Sequence, residues 1–120
     1  MNKLTINQRN HQEETILDLA GNIKIGEDVV RFRQALRLLI TEGEKKILLN
    51  LAEVPYIDSA GLGELVRTYT TVSRQGGHLK LLSLTKRITD LLAITKLLTV
   101  FETYDSEADA VRSFHSSANV

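Results

Sequence analysis

The chain has 120 residues, enough for one domain with a real core and too few for a second, so a single domain over residues 1–120 is expected. Hydrophobic residues make up 42% and charged residues 25%, with one proline, a balance that excludes disordered and collagen-like chains. Lys plus Arg and Asp plus Glu both number 15, so a net charge of +0 gives no global pull toward nucleic acid or anionic lipid, and the absence of cysteine removes disulfides, thiolate nucleophiles and cysteine-based zinc sites.

Residues 1–5 run into an alternating pattern instead of an apolar h-region, and no apolar stretch is long enough to span a bilayer, so a cytoplasmic protein is expected. Alternation over residues 4–9 and again over 15–20 predicts two strands around a polar turn at 10–13, an opening hairpin. Residues 21–26 form a loop. Val29, Phe32, Leu36, Leu39 and Ile40 then recur at helical spacing until Gly43, a helix stop. The nearly continuous apolar run over 46–51 suits a strand covered on both faces and marks the central strand.

Pro55, Tyr56, Ile57 and Asp58 lead into Ser59, after which Leu62, Leu65, Val66, Tyr69 and Val72 define a helical face closed by Gly76 and Gly77. A strand follows over 78–84, a short helix over 88–94 and a last strand over 99–104. Ala108, Val111 and Phe114 mark one face of a closing helix, and the tail 116–120 is expected to fray. Strands alternating with helices after a hairpin give an α/β fold: a mixed, mostly parallel sheet of four to five strands with about four helices.

Three catalytic motifs are approached and missed. Gly21 to Gly26 has the setting and glycine spacing of a P-loop, yet Glu27 and Asp28 stand where Lys and Ser or Thr must neutralise phosphate and hold magnesium. Gly61-Leu62-Gly63 opens a dinucleotide fingerprint whose third glycine falls on Val66. Around Ser59, Ile57 replaces the first glycine of a nucleophile elbow. The histidines, His11, His78 and His115, are scattered in sequence and read as surface residues, so no metal, no cofactor and no conventional enzyme is expected.

Two readings of Ser59 stay open on composition and spacing. As an N-cap, its hydroxyl would accept from the amides of Gly61 or Leu62 while Asp58 faces the positive end of the helix. As a switch, it would stand on a shelf left bare by Ala60, Gly61 and Gly63, open to another protein. A phosphate there would add about −1.5 to −2 charges beside Asp58, favoured by the helix N-terminus and opposed by an acidic or apolar partner.

Asn50-Leu51 followed by Tyr56-Ile57-Asp58-Ser59-Ala60-Gly61-Leu62-Gly63 resembles the signature of the STAS family, specifically the bacterial anti-sigma factor antagonists. The resemblance extends to the 19–21 strand end, the 46–51 strand, the Gly76-Gly77 turn and the 97–101 segment, covering roughly residues 4–114. It implies the STAS fold and a partner-switching role. The dephosphorylated form binds an anti-sigma factor and frees the sigma factor. That anti-sigma factor, itself an ATP-dependent serine kinase, phosphorylates Ser59 and breaks the complex, and a PP2C-type serine phosphatase restores the binding form. The implied docking surface comprises Asp58, Ser59, Ala60, Gly61, Leu62 and Gly63 with Gly21, Asn22, Ile23 and Lys24 of the loop. Neither nucleic acid nor membrane is an implied partner, and the chain is expected to be a monomer or weak dimer.

Lys24 departs from the pattern, because many members carry an acid there; the competing reading is a solvated loop lysine. Arg31, Arg33 and Arg37 on the first helix and Arg67 and Arg74 on the second are either partner contacts or solvated. Tyr56 reads as a possible anchor and Tyr69 as core. The alternatives are a STAS subunit of another signalling or transport assembly and, from the glycine loops, a nucleotide-binding domain.

Overall fold

A computed structural model describes residues 3–116. Strands β1 (Thr5–His11) and β2 (Glu14–Ala20) pair antiparallel, with Gln12 in the left-handed region (φ 56) closing the turn between them. Helix α1 (Glu27–Thr41), β3 (Lys46–Glu53), α2 (Ser59–Arg74), β4 (His78–Leu82), α3 (Lys86–Ile94), β5 (Thr103–Tyr104) and α4 (Glu107–Ser116) follow. The five strands lie in the order β1-β2-β3-β4-β5, and every pair after the hairpin is parallel. Parallel neighbours cannot be joined by a tight turn, so a helix returns the chain at each of those steps.

Strand β3 is central, and Ile47, Leu48 and Leu49 are all 0% exposed. Odd and even positions serve different layers. Leu17, Leu19, Ile47, Leu49, Leu51, Leu79 and Leu81 join the apolar faces of α1, α2 and α3 in the main core. Ile16, Leu48 and Leu82 on the other face receive Ala110 and Phe114 of α4. That second layer is fastened by polar contacts as well. Arg9 donates to Asp18 at 2.5 Å and to Glu107 of α4 at 2.8 Å. These bonds hold the carboxyls of Asp18 and Glu107 below the usual carboxylate range. Lys80, only 4% exposed, reaches Ser113 at 2.9 Å and lies 4.7 Å from the centre of the Phe114 ring.

Two expectations are corrected. The last strand contains only Thr103–Tyr104, not 99–104. Leu97 and Leu98 instead donate their amides to the Leu92 carbonyl, ending α3, and Phe101 turns inward to meet Tyr69 edge-on at 5.0 Å. The apolar run there closes a helix and fills the core, so it does not pair. In α4 the inward face is Ala110 and Phe114 with Val111 at its edge, whereas Ala108 is exposed. Positions four apart stack on one helical face, so Ala110 and Phe114 lead inward, and of the predicted 108/111/114 stripe only Ala108 falls outside. The expected fraying of the tail falls, beyond Ser116, outside the described residues.

This face assignment is testable. Ala110→Leu should overpack the 0% exposed site and cost about 1–3 kcal/mol. Ala108→Leu should stay within about 0.5 kcal/mol of the parent, both measured by urea unfolding.

Candidate functional site

Asp58 joins the loop after β2 to the start of α2. Its Oδ1 accepts from the Gly61 amide at 3.0 Å and its Oδ2 from the Ile25 amide at 2.8 Å. Below it the two segments pair as a short parallel bridge, Ile23 with Ile57. There Ile23 donates to the Tyr56 carbonyl at 3.0 Å and Asp58 to the Ile23 carbonyl at 3.1 Å. Burial pushes the Asp58 carboxyl upward, but the amides of Gly61, Ile25 and Ala60 and the positive charge of Lys24 outweigh it, and the net shift is downward.

This corrects the cap. Asp58, in extended conformation, is the N-cap of α2, and Ser59 is the first helical residue. An N-cap side chain is tied to the amides two or three residues on. Ser59, relieved of that duty, is exposed, and its hydroxyl has no hydrogen-bond partner among the described residues. At the start of α1 the N-cap is Gly26, and Asp28 of the first turn accepts from the Leu4 amide at 3.2 Å.

The bare shelf is also reinterpreted. Gly61 is buried, and a Cβ there would stand 2.7 Å from the Ile23 carbonyl oxygen and 2.7 Å from Ile57 Cγ1. Its missing side chain lets the loop lie against the helix and does not open a surface to a partner. Gly63 is half-buried, and its nearest neighbour would be the flexible end of Arg67 at 3.3 Å. Gly21 needs its φ of 112 for the sharp exit from β2, with the Leu4 backbone 3.2 Å from where a Cβ would be. Of the other predicted surface residues, Ile23 is buried, Leu62 is at the edge of burial at 9%, and Asn22 and Ala60 are half-buried. Lys24 is exposed. The structure therefore brings the two predicted segments together while turning Ile23 and Gly61 inward.

Sequence reading missed the apolar flanks. Ile25 in the loop and Ile94 at the end of α3 are each 79% exposed. Ile94 lines a groove of about 340 Å³ together with Tyr56, Ser59, Leu62 and Leu91. Tyr56 lies under the Arg87 guanidinium at 4.9 Å from its ring centre. Exposure of one isoleucine whose amide meets Asp58 and of another that shares a groove with Ser59 is invisible to periodicity, which does not tell which apolar side chains stay in solvent. Two of the three histidines, His11 and His115, come together in space. His11, at the end of β1 and not in the turn, lies 3.2 Å from one oxygen of buried Glu14, and His115 lies 2.6 Å from the other. No group of three or more His, Cys, Asp or Glu suited to a metal occurs among the described residues.

Residues 5–110 match the STAS domain family. The chain belongs to that family. Among its STAS relatives is the anti-sigma-B factor antagonist of Bacillus subtilis, 31% identical over 82% of this chain and 89% of that one. A Thermotoga maritima crystal structure described as an anti-sigma factor antagonist superposes with a TM-score of 0.86 at 25% identity, covering 92% of this chain and 94% of that chain. Bacillus SpoIIAA in its phosphorylated form shares the fold, with a TM-score of 0.73 at 17% identity over 91% of this chain and 98% of its own. No helix among the described residues of this STAS domain is long and apolar enough to cross a membrane.

The clamp makes two predictions. Gly61→Ala should destabilise by about 1–3 kcal/mol through backbone displacement, while Gly63→Ala should be neutral or stabilising by up to about 1 kcal/mol, as thermal melting would show. Because the Asp58 carboxyl is depressed in the fold, its contribution is complete above the unfolded value of about 3.9 and declines as pH falls from there through the folded value. The Ile25 and Gly61 amide signals should move with that single titration, and in Asp58→Asn they should not.

Proposed function

We infer that this STAS domain is an anti-sigma factor antagonist whose hold on its partner is switched off by phosphorylation of Ser59. The observation that carries the reading is the exposed, unpartnered Ser59 hydroxyl at the first position of α2, held beside the 21–26 loop by the Asp58 clamp. The names of its relatives and their matching lengths support the role.

The docking surface in this reading is Asp58, Ser59, Ala60, Leu62 and Gly63 with Gly21, Asn22 and Lys24, extended by Ile25 and Ile94. Gly61 and Ile23 serve it from beneath. An apolar centre with polar surroundings is what a protein interface needs, and Ile94 shares a groove with Ser59 while the amide of exposed Ile25 meets the neighbouring Asp58. The Asn22 side-chain oxygen, buried and without a partner among the described residues, adds an acceptor in the same loop.

Phosphorylation transfers the γ-phosphoryl group of ATP to Ser59 Oγ, releasing ADP and the hydroxyl proton. The kinase is the anti-sigma factor itself, and a PP2C-type phosphatase hydrolyses the ester. The fold accommodates the added charge. The helix N-terminus attracts it, Lys24 is near enough to act on Asp58 and so offsets it, and no buried group has to move. SpoIIAA carries a phosphoryl group on the same fold. A partner pressed against Ile25 and Ile94 has no such compensation and would have to desolvate a dianion. Lys24 also gives this loop a positive charge, which fits an anti-sigma factor with an acid facing it.

Incubating the protein with the kinase-type anti-sigma factor encoded beside it, with ATP, should place one phosphate on Ser59 by mass spectrometry. Failure with every such factor of the host would overturn the switch. Ser59→Ala should bind constitutively, and Ser59→Asp should bind about tenfold more weakly or worse in a calorimetric titration.

A further inference from the structure

The C-terminal half of α2 and the facing turns of α1 enclose a second groove, of about 490 Å³, that includes neither Ser59 nor the 21–26 loop. Thr68, which lines it, stands nine residues beyond Ser59, about 14 Å along the helix at 1.5 Å per residue. The groove gathers charge in a chain that has no net charge. Arg37 of α1 and Arg67 and Arg74 of α2 line it, and the one acid in its wall, Glu64, is already matched: Arg33 donates to it at 2.8 Å and Arg67 at 2.7 Å. Arg37 and Arg74 make no ion pair among the described residues.

Exposed arginines alone would be solvated side chains. Thr68 is the different observation. It is 6% exposed, it lines the groove, and its hydroxyl has no hydrogen-bond partner among the described residues. The neighbouring Thr70, by contrast, donates to the Val66 carbonyl at 3.0 Å. The Thr68 hydroxyl oxygen keeps contact with the groove, since the buried side-chain polar atom left without a partner among the described residues is Asn22 Oδ1, so Thr68 can hydrogen-bond a group bound there.

We propose that this groove binds a small phosphomonoester, with the phosphate held by the guanidinium forks of Arg37 and Arg74 and the Thr68 hydroxyl. A phosphomonoester offers three strong acceptor oxygens and nearly two charges, matching two bidentate donors and one hydroxyl better than a carboxylate does. The space exceeds that of an inorganic anion, and Ile40 and Val66 supply apolar wall for an organic body. The site shares α2 with Ser59 but no residue of the docking surface, so either reading stands if the other fails.

The test is a titration of the 15N-labelled full chain with inorganic phosphate and with glycerol 3-phosphate, at ionic strength held constant with chloride. Saturable amide shifts are expected at 37–41 and 67–74 and not at 59–63, with glycerol 3-phosphate binding more tightly than phosphate. Arg37→Gln with Arg74→Gln, and separately Thr68→Val, each confirmed folded by its own spectrum, should weaken binding about tenfold or more. Shifts that stay linear, that saturate elsewhere, or that survive both variants would overturn the site. Tighter binding of a poly-glutamate peptide than of glycerol 3-phosphate would also overturn it, in favour of an acidic protein partner.

Discussion

The carboxylate of Asp58 accepts from two amides whose residues, Ile25 and Gly61, belong to separate segments of the chain, and the joint between the β2–α1 loop and α2 depends on that pair of bonds. One bond starts α2 and the other stops the β2–α1 loop from swinging free. Burial alone would favour a neutral acid, yet the two amides and Lys24 keep Asp58 ionised, so the clamp holds across the physiological range. The same arrangement releases Ser59 from capping. A serine that caps its own helix has a hydroxyl already engaged, whereas one placed at the next position presents it to solvent.

The clamp works only because Gly61 has no side chain. The Ile23 carbonyl that accepts from Asp58 occupies the space a Cβ would need, so the loop and helix are fitted to one another at backbone level. Ile57 and Leu62, on either side of this contact, belong to the main core, which ties the site to the sheet beneath it.

The two faces of the sheet are held differently. The face under α1, α2 and α3 is a continuous apolar core, suited to carrying a surface that must keep its shape. The face under α4 is smaller and laced with charge: Arg9 bridges Asp18 and Glu107, Lys80 is buried against Phe114, and Glu14 is bracketed by two histidines. These polar contacts specify where α4 lies, since its buried apolar side chains, Ala110 and Phe114, are few. An overall charge of zero therefore hides strong local segregation, with a basic groove between α1 and α2 on one side and paired charges under α4 on the other.

The elements that sequence determined are those where one periodicity dominates. The run at 46–51 suited a strand buried on both faces, the spacing from Val29 to Ile40 suited a helix, and Asp58-Ser59 beside small residues marked both a helix start and the STAS resemblance. Short-range pattern also sufficed to bring forward the 21–26 loop through that resemblance. Tertiary structure decided the rest, because it turned on which atoms meet across the fold. Asp58 rather than Ser59 caps α2 because the loop amide of Ile25 recruits the carboxylate. Gly61 is a contact and not a vacancy because Ile23 lies against it. His11 and His115 meet because a hairpin and a closing helix converge on Glu14, and the last strand is Thr103–Tyr104 and not 99–104 because Phe101 turns inward to Tyr69. Periodicity reports which face of an element is apolar; it carries no information about which distant backbone group will occupy the space beside it.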